Sequence, residues 1–369
     1  MSSDNPTESS PSSPPKDETR RAFNHDLNID EDAQKFVKQR WPKIANVLID
    51  LDLIKAFQPH EAKAKLLKLR VQLIGSAALI FMVCSLLGSA ERLWAGRCPP
   101  EGEAARLATE ISAILGLLCA LLASRYGPWR RRWLRNRFMT EVLRQWHFRR
   151  LLVGPLIDVG SGSTEQIGQF LKERKAGLDA LLYNLRGSIG QKMDNLAESG
   201  IDILGSVPNP QLPKNPETRS QLLEAYRVLR LDHQLEFAVW KLSTDDETFL
   251  GTSSLALVRL ADQLAGTTLL IALALSATRL FIPLEWVPFA AVSLAIVGVS
   301  VRAWRDGMAL GEERERYQEM RHRLELIVAR WRAATSDERR FQVAEEVEQS
   351  ALEELRSFIR FQDRAQFLF

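Results

Sequence analysis

Four apolar blocks almost free of charge, each close to the length of a bilayer crossing, constrain this chain more than any other feature. They run from Val71 to Ser89 (VQLIGSAALIFMVCSLLGS), from Leu107 to Ser124 (LATEISAILGLLCALLAS), over about Leu264 to Ile282 and over about Trp286 to Val301. A helix needs ~20 apolar residues to cross ~30 Å of hydrocarbon. The blocks come in two pairs. A loop from Ala90 to Arg106 joins the first, and a turn built on Pro283 and Pro288, which no continuous helix tolerates, joins the second. The pattern predicts an all-α integral membrane protein with two transmembrane helical hairpins, four spans in all, and a cytoplasmic helical bundle. Read instead as buried helices of a soluble bundle, two such pairs would need a very large core to cover them.

Charged residues make up 26% of the 369 positions and fill the intervals between the blocks. Lys63, Lys65, Lys68 and Arg70 precede the first span, and Arg125, Arg130, Arg131, Arg132, Arg135 and Arg137 follow the second. In the intervening loop, Arg92, Arg97 and Arg106 are balanced by Glu91, Glu101 and Glu103. Lys and Arg are retained on the cytoplasmic side, so both long flanks are expected inside, with the N- and C-termini cytoplasmic in the inner (plasma) membrane. Arg259 before the second hairpin and Arg302 and Arg305 after it agree with that topology. Glu110 and Arg279 lie near the outer ends of the second and third spans, where they are read as membrane-boundary polar residues. Gly116 with Ala120, and Ala291 with Ala295, offer small surfaces for close helix approach.

The remaining organisation follows from breaks and periodicity. A Ser/Pro-rich acidic tail over 1–32, without a basic segment leading into an apolar one, reads as disordered rather than as a cleaved signal. Cytoplasmic helices over 33–70 are punctuated by Pro42 and Pro59, and the first hairpin occupies 71–124. A helical region over 125–260 restarts after a Gly127-Pro128 break, runs as helix over Thr164–Ser199, and holds a Pro-rich loop near 207–216. The second hairpin covers 261–303. Over 304–369, two antiparallel helices with alternating charge meet at a turn around Thr335 and Ser336.

No catalytic constellation stands out. The VGSGST run at 159–164 lacks the Gly-Lys-Ser/Thr ending of a phosphate loop. The three cysteines show no metal spacing, and Cys84 and Cys119 read as small hydrophobes within spans. Asp232 and His233 are adjacent and so fall on different helix faces, unlike a catalytic pair. A net charge of +3 does not mark a nucleic-acid binder. Neither an enzyme nor a cofactor is expected. Two helical faces do stand out: Trp133, Arg137, Glu141, Arg144 and Phe148 recur at three- and four-residue intervals, as do Tyr226, Arg230, His233 or Gln234, and Phe237.

A hairpin followed by WLRNRFMTEVLRQW, then YRVLRLDHQLEFAVWKL before a second hairpin, then EERERYQEM and a Glu-rich terminal helix resembles the SLATT superfamily. These are membrane effector modules associated with SMODS nucleotide-signal synthases and SLOG sensing domains in bacteria. The resemblance covers about Lys55 to Phe369. It matches Trp133, Arg137, Glu141, Leu143 and Arg144 to one family element, and Arg230, His233 and Gln234 to an Arg-x-x-His-Gln element. Thr140 stands where the family tends to place Ala, and the 154–216 segment is long. The resemblance implies a homo-oligomeric effector that perturbs or opens a pore in the inner membrane when triggered from the cytoplasm, in nucleotide-signal-linked bacterial defence. Its expected partners are membrane lipids and a sensor or nucleotide-signal protein. A non-conducting anchor or scaffold that binds a partner through its cytoplasmic helices is the alternative. A small-solute transporter is disfavoured by the lack of charges within the spans.

Overall fold

Two helices more than twice as long as a bilayer crossing organise the molecule: α3 (Leu51–Ala95) has 45 residues and α4 (Glu103–Leu151) has 49. At 1.5 Å per residue each extends roughly 70 Å, so about half of each lies beyond the hydrocarbon it could cross. The computed structural model describes residues 26–95, 103–153, 162–205, 211–243, 254–279 and 286–364, with isolated positions 158, 281 and 284. Before α3 come α1 (Glu31–Arg40) and the short α2 (Ala45–Leu48). After α4 come α5 (Thr164–Leu185), α6 (Ile189–Ser199), α7 (Pro216–Tyr226), a π-helical turn (Arg227–Asp232) and α8 (His233–Leu242). The second apolar hairpin is α9 (Ser254–Thr278) and α10 (Val287–Gly307), and the chain ends in α11 (Leu310–Ala333) and α12 (Asp337–Arg364). Among the described residues there is no strand, only an isolated bridge between Val153 and Gln211.

Local chemistry fixes several helix ends. The Asp30 carboxylate accepts the Ala33 N–H at 2.7 Å, Ser163 and Gln166 form a reciprocal cap, and Asn215 accepts from Glu217 and Thr218 ahead of a proline in the first turn. Gly200 ends α6 at φ 68°, a left-handed conformation that side chains disfavour.

Four helices are long and apolar enough to cross a membrane. Large side chains along them point away from protein: Ile80 is 59% exposed, Leu117 63%, Leu270 68% and Leu273 67%. In water each such side chain would forgo roughly 1.5–3 kcal/mol of burial, so a surface of this kind calls for an apolar solvent. Within the hairpins, small residues do permit close approach. A Cβ at Gly298 would lie 2.6 Å from Thr268 Oγ1 and 3.2 Å from the Ala265 carbonyl, and Ala291 is buried beside it. In the first hairpin the contact passes through Ser112, Gly116 and Cys119, with Ser85 Oγ donating to the Ser112 carbonyl at 3.0 Å. Ala120 is exposed, so the expected Gly116–Ala120 pairing is corrected to this neighbouring stripe. Cys84 is exposed and Cys119 buried. The two hairpins meet where Trp304 Nε1 donates to Ser76 Oγ at 2.9 Å.

The charged halves of α3 and α4 pack with the other helices around one large apolar core. Trp41, Phe57, Phe138, Phe148, Tyr226 and Trp331 are all buried in it. A separate small cluster of Val71, Tyr126, Leu257 and Met308 sits where this bundle joins the hairpins.

Three further expectations need correction. Pro59 and the Gly127-Pro128 pair do not interrupt their helices; α3 and α4 run through them. An interior proline costs ~3 kcal/mol or more, a cost met here by packing on both sides, with Ile54, Phe57 and Ala64 buried around Pro59, and Tyr126, Arg130 and Trp133 buried around Pro128. The disordered tail assigned to 1–32 ends too late: Asp26, Leu27 and Asn28 are buried, and the Asn28 amide donates to the Leu48 carbonyl at 3.3 Å. Residues 1–25 lie outside the described residues, as do the tip of the first hairpin loop (96–102), the first half of the VGSGST run (159–161) and part of the Pro-rich loop. The Thr164–Ser199 run is two helices, broken between Leu185 and Ile189. The antiparallel α11–α12 pair and its turn are as the periodicity indicates.

Candidate functional site

The two charged faces singled out by helical spacing converge. On α4, Arg137 Nη2 lies 2.6 Å from Glu141 Oε1, and Arg144 Nη1 lies 2.8 Å from the same oxygen. Glu141 thus pairs with both arginines at once. Arg144 Nε reaches Asp26 Oδ2 at 2.6 Å, and Arg137 Nη1 lies 3.7 Å from Glu61 Oε2 on α3. The Arg144 guanidinium stands 5.4 Å from the Phe57 ring, and Trp133 meets Phe358 edge-on at 6.1 Å.

Electrostatics holds this set charged. Burial alone would push the Glu141 carboxyl up, but Arg137 and Arg144 outweigh it and hold it at about 2. Burial likewise works against the Arg144 cation, yet Asp26 and Glu141 raise its pKa above the ordinary arginine value. On α11, Glu313 is opposed by burial and brought down to about 2 by Lys68, Lys241 and Arg316. Carboxylates held so low are poor proton acceptors near neutrality. The arrangement is suited to fixing helices in register.

These residues line a cavity of about 710 Å³ bounded by α3, α4, α8, α11 and α12. Trp133, Arg137, Glu141, Arg144, His233 and Gln234 all stand on its wall. On the same helix as His233 and Gln234, the wall also includes Lys241, which lies 4.6 Å from the Trp240 ring, and Phe237, which meets Tyr317 edge-on at 5.8 Å. Lys68 pairs with Glu313 at 3.6 Å, and Arg316 pairs with Glu354 while lying 4.5 Å from the Tyr317 ring.

Arg230, of the second element, lies behind the cavity in the core, as does Leu143 of the first. Its Nε and Nη2 donate to Glu348 at 2.8 and 3.1 Å, Tyr226 Oη donates to Glu348 at 2.7 Å, and the Phe148 ring lies 4.6 Å from the guanidinium. The π-helical turn carries Arg230, with His233 at the start of α8. Asp232 pairs with Arg227 at 3.2 Å while His233 faces the cavity, so the adjacent residues separate as expected. Glu110 is exposed on α4, and Arg279 is exposed just past the end of α9; neither joins the cavity.

Sequence reasoning missed the acidic partners Asp26, Glu61, Glu313 and Glu348. A usable signal existed for Glu348, which occupies the apolar seam of α12 after Phe341 and Ala344 at helical spacing. It also missed a second buried ion cluster. Arg174 Nε pairs with Asp50 at 3.0 Å, and the same guanidinium donates to the carbonyls of Asn46, Val47 and Ile49, satisfying the end of α2. Nearby, burial pushes His147 down to about 4, which keeps it neutral.

Among the described residues no group of His, Cys, Asp and Glu could hold a metal ion. No family model matches the chain, and no curated protein or solved structure matches it.

Proposed function

We propose that this chain is a membrane effector that is set by an event on its cytoplasmic side and acts by perturbing the inner membrane or opening a pore in it. The observation that carries this reading is continuity. The helices that wall the charged cavity with Glu61–Lys68 and Trp133–Arg144 are the helices that form the first apolar hairpin. The second hairpin is tied in just as directly, because α11 begins three residues after α10 ends. Ala309 at that joint has φ 55°, a left-handed conformation that costs a non-glycine residue about 1–2 kcal/mol. Rearranging the cavity wall therefore displaces spans, with little loop to absorb the motion. The bundle faces the cytoplasm in this reading, on the strength of the basic residues that flank the spans. Assembly into homo-oligomers through the spans and the cytoplasmic helices, and a sensor or nucleotide-signal partner, complete the proposal.

Expression in cells loaded with a potential-sensitive dye tests it. Depolarisation on expression or on co-expression of a triggering partner is expected, and an unchanged potential under every trigger counts against it. The second reading is a non-conducting anchor that displays the bundle to a partner protein. It is favoured by the separation of the bundle's large core from the small cluster at the hairpins. A chain that retains a partner but never alters the potential would establish that reading instead.

A further inference from the structure

The cavity is balanced overall and polarised along its length. Its wall carries six Lys or Arg and six Asp or Glu side chains, so a ligand of either net charge would bring an uncompensated charge into a partly enclosed space, which is costly. Ion pairing divides these groups into two poles. Asp26, Glu61 and Glu141 pair with Lys65, Arg137 and Arg144 at one pole, where the exposed helix-capping Asp30 adds a fourth carboxylate to the wall. Lys68, Lys241 and Arg316 face Glu313 and Glu354 at the other, three cations to two carboxylates.

At the acidic pole, Asp26 Oδ1 and Glu61 Oε2 are buried and accept no hydrogen bond among the described residues, although each carboxylate is ion-paired. Asp26 is only 3% exposed. A buried acceptor left unmet costs about as much as a lost hydrogen bond, so both carboxylates, which line the cavity, have acceptor capacity to spare. Glu61 and Lys68 stand seven residues apart on α3, two helical turns, which sets the poles about 10 Å from one another along that helix. The Trp133–Phe358 and Phe237–Tyr317 ring pairs supply apolar wall.

We propose that this cavity binds a zwitterion of extended shape: an amino group held by Asp26 and Glu61, an acidic group held by Lys68, Lys241 and Arg316, and an apolar body against the rings. A net-neutral, dipolar ligand matches the polarity of the wall without disturbing its charge balance. A cavity of about 710 Å³ lies within the usual size range for small-molecule sites.

Titration calorimetry on the purified full-length chain in detergent tests this, with ω-aminooctanoate, octanoate and octylamine as probes and each titrated into empty micelles as the blank. The eight-carbon chain places its two charged ends at about the required separation. The zwitterion is expected to bind at least tenfold more tightly than either singly charged probe. Lys241→Gln should weaken ω-aminooctanoate and octanoate while leaving octylamine unchanged, and Glu61→Gln should do the reverse. Circular dichroism and gel filtration report whether each variant is folded. Equal affinity for a singly charged probe, or no binding of the zwitterion to folded protein, overturns the proposal. The readout is independent of membrane potential, so failure here is distinguishable from failure of the effector reading.

Discussion

Removing one member of the Arg230–Glu348 pair strands a charge where Arg230 is 1% and Glu348 4% exposed. Arg230→Ala should therefore cost about 3–5 kcal/mol, whereas Arg230→Met combined with Glu348→Leu should cost much less, because neither charge is left behind and Tyr226 keeps the Ala344 carbonyl as acceptor. Thermal unfolding midpoints of the two variants check this, and an equal loss in the single and double variants would refute it. The titratable groups predict a pH profile. His147 has an ordinary value of 6.5 and is held at about 4, so between those limits the unfolded chain takes up a proton that the folded chain refuses. Stability then falls as pH falls. Glu141 and Glu313 are depressed from 4.5 to about 2, so their contribution is present above 4.5 and is lost as pH drops towards 2. Each shift corresponds to roughly 3 kcal/mol at its full extent. The unfolding midpoint should decline gently below pH 6.5 and steeply below 4.5, and His147→Gln should flatten the upper limb alone.

Among the elements, the α9–α10 hairpin depends on an approach that only glycine allows. Even the Cβ of Gly298→Ala would crowd the Ala265 backbone and the Thr268 hydroxyl, so the helices must part. A loss of about 1–3 kcal/mol is expected, larger for Gly298→Val, read as lowered thermal stability in detergent with helix content retained. The four helices long and apolar enough to cross a membrane were legible because a charge-free run of bilayer length is a local property of sequence. The faces bearing Trp133, Arg137, Glu141 and Arg144, and then His233 and Gln234, were legible for the same reason: helical spacing alone groups them. Proline tolerance in α3 and α4 was not, since it depends on neighbours packed from other helices. Nor were the acidic partners, because Arg230 meets Glu348 across 118 positions and Arg144 meets Asp26 in a stretch whose composition resembles the tail before it. The cavity is a property of five helices together, which no single periodicity encodes.

For the molecule as a whole, exposure in protein alone and exposure to water are different quantities, and Cys84 separates them. It is exposed on the surface of the protein, yet it lies within the first apolar block, on a helix whose outward residues include Leu73 and Ile80. If those surfaces are solvated by lipid tails, a membrane-impermeant maleimide should not reach Cys84 in sealed vesicles despite its geometric exposure. Cys98, in the predicted outer loop, would react from the outer face and is removed as Cys98→Ser for this measurement. The Cys98→Ser chain, which keeps Cys84 and the buried Cys119, should stay unlabelled in vesicles of either orientation and become labelled once denatured. Rapid labelling of Cys84 in intact vesicles would mean that water lines that helix. The wild-type chain completes the comparison: labelling at Cys98 in right-side-out cells but not in inverted vesicles places the hairpin tip outside and, because α3 and α4 run unbroken from that hairpin into the bundle, the bundle inside.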